Sequence, residues 1–241
     1  MTTTATPSVH LMRVYELLIA TYGEPRNEPD YDPLGGLIGT ILSQHTSDIN
    51  SERAYQRLVA IFPTWEEVRD APTDEVASAI KSAGLSNIKA PRIQGALLLL
   101  TEQQQKQGDT QSLSDYLYNE LTKRTPEEAW YYLQNIPGVG PKTAACVLMF
   151  NLGRAIMPLD THVYRTSRRL GLIGPKVNVD QAHIIFAKMT PPEWVYPLHV
   201  NLIRHGRQVC HAQRPSCGQC SLYKACAYVG SVNPQETAIF S

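Results

Sequence analysis

The sequence predicts an all-α protein. Apolar residues recur with a helical period along most of its length, and the sustained alternation that marks strands is absent. Capping and stop residues fall where that periodicity begins and ends. With 241 residues, 43% of them apolar, the chain can build one large domain or two modest ones around a real core.

In chain order, the periodic stretches predict helices over about 8–22, 33–44, 49–61 and 73–82, the last stopped by Gly84, followed by 88–106 and 113–123. The next helix, 126–134, has the clearest start. Thr125 provides a cap, Pro126 occupies the first helical position, and Glu128 the third. A helix over 141–151 ends near Gly153 and one over 161–170 at Gly171; 179–188 and 193–208 complete the set. No repeat or low-complexity tract interrupts them. The tail after Cys226, YVGSVNPQETAIFS, is polar and unpatterned and is expected to be loosely held.

Formal net charge is zero, which taken alone argues weakly against a nucleic-acid partner. The average hides a split. Residues 1–136 carry 11 Lys/Arg against 18 Asp/Glu, a net of −7, whereas 137–226 carry 11 against 3, a net of +8. Such asymmetry points to a polyanion-binding face on the basic part, against a merely solvated helical surface. No apolar run approaches the roughly 20 residues of a membrane span, and the MTTTATPS start lacks the regions of a signal peptide, so a cytoplasmic protein is expected.

Cys210, Cys217, Cys220 and Cys226 form a C-x6-C-x2-C-x5-C pattern within 17 residues. In a cytosolic protein such clustering argues for a metal rather than disulfides. Four thiolates suit a tetrahedral zinc or an iron–sulfur cube. Zinc sites more often pair two CxxC knuckles, and only Cys217 and Cys220 are so spaced, which favours a [4Fe-4S] cluster. Arg204, Arg207, Arg214 and Lys224 surround the loop, so it reads as a clamp offering positive charge to phosphates. Cys146, inside TAACVLMF, reads as a small buried hydrophobe.

The stretch IPGVGPKTA, 136–144, places a tight turn through Pro137, Gly138, Val139 and Gly140 between two helices, the second opening at Pro141. This is a helix-hairpin-helix. Its glycines permit close approach to a phosphate, and the amides of the following first turn supply donors, so the motif grips a backbone without reading sequence. Lys142 serves either as a phosphate contact or as a nucleophile that attacks a sugar C1′. For the second role, neighbouring cations such as Arg165 or Arg168 would lower its basicity. Asp160, 18 residues later in AIMPLDTHVYR, is either a helix cap or a carboxylate that stabilises a cationic sugar.

IPGVGPKTA, PLDTHVYR and the cysteine pattern together resemble the endonuclease III family of helix-hairpin-helix DNA glycosylases with an iron–sulfur cluster, and helix order agrees over about 8–228. The resemblance implies a bilobal all-α fold. A six-helix barrel with the hairpin spans 26–154; an iron–sulfur cluster domain combines 1–25 with 155–230; a flexible tail covers 231–241. Lys142 matches the family's nucleophile, Asp160 its catalytic aspartate, and the four cysteines its [4Fe-4S] ligands. Gly138, Val139, Gly140, His162 and Arg214 fall among the expected DNA contacts. The loops ILSQHTSD (41–48) and AGLSNIKA (83–90) match those that wedge the duplex. Gln44 or His45 would fill the space of the missing base, and Leu85 would pry the opposite strand. His45 stands where family members often have the filling glutamine, and Ser86 replaces a commonly aromatic residue.

The activity so implied is that of a bifunctional DNA glycosylase and AP lyase, which removes oxidised pyrimidines from duplex DNA and cleaves the abasic site by β-elimination. It would act as a monomer on the bacterial nucleoid. Two other classes use some of the same features: a non-catalytic DNA-binding module would share the hairpin, and an iron–sulfur electron carrier the cysteines.

Overall fold

A computed structural model describes residues 7–232, and every regular element among them is helical. Helix α1 (Val9–Tyr22) starts behind Ser8, whose hydroxyl accepts from the Leu11 amide, and ends at Gly23. The chain divides into two compact units: Glu28–Arg154, and Met1–Asn27 together with Ala155–Ser241. No helix among the described residues is long and apolar enough to cross a membrane.

The continuous unit is organised around α2 (Pro33–Ser43), which is apolar on nearly every side and buries Leu34, Leu37, Ile38, Ile41 and Leu42 completely. A helix apolar all round belongs in a core. It packs against α3 (Asp48–Ile61), and at Gly36 a side chain would collide with Asn151. Helix α4 (Trp65–Asp70) and α5 (Thr73–Ala79) follow, then a short 3-10 turn, Lys81–Ala83, where one helix over 73–82 was expected. The 21-residue α6 (Ser86–Lys106) packs on α4, α5 and α7 (Leu113–Thr122). Helix α8 (Pro126–Gln134) has the expected capping box between Thr125 and Glu128. The predicted 141–151 helix is split: α9 (Pro141–Cys146) runs into a π-helical turn, Val147–Asn151. That turn faces Asn151 inward, where its amide donates to Asp30 at 2.9 Å.

In the other unit, α10 (Thr161–Leu170) and α11 (Val179–Met189) precede the long α12 (Pro192–Gln208). Helix α12 packs on both α10 and α1, the latter contact reinforced by Tyr15 stacked on Trp194 with centroids 4.2 Å apart. Two 3-10 turns, Cys217–Gln219 and Tyr223–Ala225, shape the cysteine loop.

Two further elements depart from expectation. Six-residue α4 is too short to show a period, although Thr64 caps it and Glu66 and Glu67 sit at its positive end. The chain after Cys226 is also more ordered than expected, because Ala227–Val232 form α13, which packs on α10. Val229 is buried there, and Arg169 lies 4.9 Å above the Tyr228 ring. Of the tail expected over 231–241, residues 233–241 lie outside the described residues.

Candidate active site and cluster loop

The hairpin is assembled from both ends. Leu133 and Ile136 at the end of α8 and Val139 and Ala144 beyond it are all buried, which closes the turn around a small apolar core. The Trp130 indole donates to the Pro141 carbonyl at 2.9 Å and fastens α8 to α9. Gly138 adopts φ 80°, a left-handed conformation that only glycine enters without strain. Val139 is 6% exposed and its amide donates to the Ile136 carbonyl at 3.1 Å, so this residue anchors the turn from within. Exposed Gly138 and Gly140 form the outer surface. Gly140 is the N-cap of α9 and gives it no side-chain cap, so no capping side chain engages the first-turn amides at the positive end of the helix.

Lys142 is exposed and occupies the second position of α9. Thr143 beside it is buried and accepts a 3.4 Å hydrogen bond from the Gln44 side-chain amide. That bond brings the loop after α2 against the hairpin. Next along this loop, His45 is exposed at φ 56°. Leu85, 52% exposed, stands at φ 51° as the N-cap of α6. The non-glycine residues with positive φ among those described are Tyr31, His45, Leu85 and Arg214. Three of these four were selected from sequence as DNA contacts. Left-handed backbone at a non-glycine residue costs about 1–3 kcal/mol and concentrates at functional sites.

In the discontinuous unit, Asp160 is the N-cap of α10 and its Oδ1 accepts from the Val163 amide at 2.7 Å. One carboxylate oxygen is thus engaged in capping. His162 is the second residue of α10, where its Nδ1 meets an Arg165 guanidinium nitrogen at 3.1 Å. Arg165 also donates to the Gly206 and Cys210 carbonyls, and Arg168 to that of Pro175. Both guanidiniums are engaged within their own unit.

Cys210, Cys217, Cys220 and Cys226 line one cavity with Leu170, Val209 and Val229. All four are free and partly buried. Burial pushes the Cys220 thiol up to about 11, against the Leu222 amide that favours its thiolate, and raises that of Cys226 likewise. Among the described residues no three His, Cys, Asp or Glu side chains gather round a single-ion point; the thiols surround a volume instead. Arg169 grips the loop, donating to the Cys210 sulfur at 3.3 Å and to the His211 and Ala212 carbonyls at 2.6 and 2.9 Å. The Tyr22 hydroxyl and His205 Nδ1 are hydrogen-bonded at 3.0 Å, and His205 Nε2 faces the Cys220 sulfur at 3.6 Å. Arg214 is exposed at φ 50° on the same loop.

Residues 38–192 match the family described as HhH-GPD superfamily base excision DNA repair protein, which is more than half of the chain. The chain belongs to this superfamily. Among curated relatives, endonuclease III of Thermotoga maritima is 31% identical over 85% of this chain and 87% of its own. Endonuclease III of Escherichia coli K12 is 30% identical over 83% and 86%. Two solved endonuclease III structures align closely: a non-covalent DNA complex, TM-score 0.72, 26% identical, covering 95% of this chain and 100% of the other; and a trapped covalent DNA intermediate, TM-score 0.71, 27% identical, covering 92% and 96%. The HhH-GPD protein described here is therefore a base excision repair DNA glycosylase with the endonuclease III fold.

Sequence reasoning missed Arg169 and His205 in this superfamily member, and it named Arg165 only as a cation near Lys142, without its bonds to the Gly206 and Cys210 carbonyls. Their roles are bonds to loop carbonyls and sulfurs, which leave no residue pattern. The available signal was the spacing of Arg165, which closes PLDTHVYR, and Arg169, one helical turn further on.

Proposed function

We propose that this glycosylase removes oxidised pyrimidines from duplex DNA and then cuts the abasic strand by β-elimination, acting as a monomer. Lys142 supports the reading most: an exposed amine on the first turn of a helix whose first-turn amides no side chain caps, which suits a phosphate site. In this reading phosphates beside the lesion settle on the Gly138 and Gly140 side of the hairpin, which sets the sugar against the amine. Neutral Lys142 attacks C1′ with its lone pair and the base leaves with the glycosidic electrons and takes up a proton; the nitrogen then gives up a proton, the C1′–O4′ bond opens with O4′ taking up a proton, and a protonated Schiff base remains. Loss of a C2′ proton then drives cleavage of the C3′–O bond, with the 3′ phosphate as leaving group. Asp160, through the carboxylate oxygen that does not cap α10, stabilises the cationic sugar and accepts protons. The covalent DNA intermediate of the solved relative is consistent with an amine in that role.

The exposed, left-handed His45 and Leu85 suit entry into the duplex, His45 with Gln44 filling the space of the extruded base and Leu85 pressing on the opposite strand. His162 and Arg214 add backbone contacts from the other unit.

Cys210, Cys217, Cys220 and Cys226 would hold a [4Fe-4S] cluster. A cube takes one thiolate per iron, so its ligands ring a volume, as these do. When bound, the cluster supplies a covalent closure for the loop that carries Arg214.

Incubation with duplex DNA containing one abasic site, in the presence of borohydride, tests the proposal. A trapped covalent adduct and a β-elimination product are expected. Tight binding with intact abasic DNA would reduce the protein to a binding module. Release of an oxidised pyrimidine from duplex, but not of an undamaged one, tests the substrate class.

A further inference from the structure

Lys89 is among the most deeply buried side chains of the protein, 2% exposed, and no ion pair includes it among the described residues. Its ammonium donates to the Leu42 carbonyl at 2.7 Å and to the Ala83 carbonyl at 2.9 Å. Leu42 belongs to the last turn of α2, three residues before His45; Ala83 ends the 3-10 turn, two residues before Leu85. One cation therefore joins the stems of the two loops that carry the left-handed, exposed side chains. A buried charge without a carboxylate is an expensive way to fill space, and burial alone pushes the Lys89 amine down. The negative end of α2 and two carbonyls compensate it. Ser82, donating to the Asn50 carbonyl at 3.2 Å, adds a second tie between the same regions.

We propose that Lys89 is a positioning residue that locks the His45 and Leu85 loops together, so that both tips enter the duplex as one rigid unit. This rests on the wedge reading given above. Without the tether each loop could relax its left-handed tip independently, and the insertion of one side chain would no longer help the other.

The test is a double-mutant cycle on affinity for duplex carrying a tetrahydrofuran abasic analogue, with His45→Ala and Leu85→Ala alone and combined, in the wild-type, Lys89→Met and Lys89→Gln backgrounds. Coupling of about tenfold is expected in the wild type, within about twofold of additivity in Lys89→Met, and about threefold in Lys89→Gln, whose shorter amide reaches one carbonyl at a time. Amide hydrogen exchange on the DNA-free protein gives a second readout: Gln44, Thr46 and Gly84, whose amides close these turns, should exchange faster in both Lys89 variants. If the methionine variant does not fold, the glutamine variant carries the comparison. Wild-type coupling persisting in the Lys89 variants overturns the tether, as do additive effects in the wild type. If His45→Ala and Leu85→Ala each bind as wild type, the wedge reading itself falls and takes the proposal with it; the exchange data still show whether the loops are joined.

Discussion

Asp160 holds two possible roles in one side chain, and a single substitution separates them. Asparagine keeps an oxygen for the Val163 amide, so Asp160→Asn should unfold at the wild-type temperature while base excision falls by orders of magnitude, the loss of an electrostatic stabiliser being worth roughly 2.7–4 kcal/mol. Asp160→Ala should lose about 1 kcal/mol of stability as well. Lys142→Ala should still bind abasic duplex through the hairpin amides yet show neither borohydride trapping nor strand cleavage; normal trapping would move the nucleophile elsewhere. His183, 5% exposed on α11, sets a different kind of expectation. Burial pushes its imidazole down to about 4, opposed by a backbone hydrogen bond with Met157 and by Asp180. Unfolding lets it take up a proton between that value and its ordinary one near 6.5, so its contribution is fully present above about pH 6.5 and is lost as pH falls toward 4. Urea unfolding should show stability declining across that window by up to about 1.4 kcal/mol per pH unit from this site, and His183→Gln should flatten the decline.

Among elements, the hairpin was legible because its chemistry is local. Gly-x-Gly before Pro-Lys states a turn and a helix start, and the proposed phosphate site, within one short stretch. Gly138→Ala should accordingly destabilise the protein by about 1–2 kcal/mol through its left-handed backbone, and weaken DNA binding before it affects chemistry. Thermal unfolding and affinity for a tetrahydrofuran duplex measure the two effects. What escaped the sequence was tertiary. Six residues of α4 cannot display a period, α13 is held by Val229 and by Tyr228 against Arg169, and Lys89 looks like any surface lysine until its carbonyl partners are known. The cysteine loop divides along the same line: its four cysteines stand out by spacing, its fastening by Arg165 and Arg169 does not. Arg169→Met should leave iron binding possible but make the loop more susceptible to limited proteolysis, since three bonds to residues 210–212 disappear.

For the molecule as a whole, zero net charge conceals −7 before the hairpin and +8 from the hairpin through Cys226. Binding to DNA should therefore depend steeply on salt despite the neutral total, because each phosphate contact from the basic part releases counterions. If 6–10 phosphates are engaged, affinity for abasic duplex should fall by about 10³–10⁵ between 50 and 200 mM salt, and Arg214→Ala should lower the slope by about one. An affinity unchanged over that range would place the interface elsewhere.

The stack of Tyr15 on Trp194 has a consequence for how the protein is made. The two rings are separated by 179 positions in the chain, so α1 leaves the ribosome long before α12, its packing partner, exists. Glu28–Arg154, by contrast, is contiguous and can close while synthesis continues. At roughly 5–20 residues per second, α1 waits on the order of ten seconds or more with Leu11, Val14 and Leu18 uncovered. Nascent chains stalled before α12 should thus be captured by holdase chaperones through this first helix, and released once Trp194 has cleared the exit tunnel.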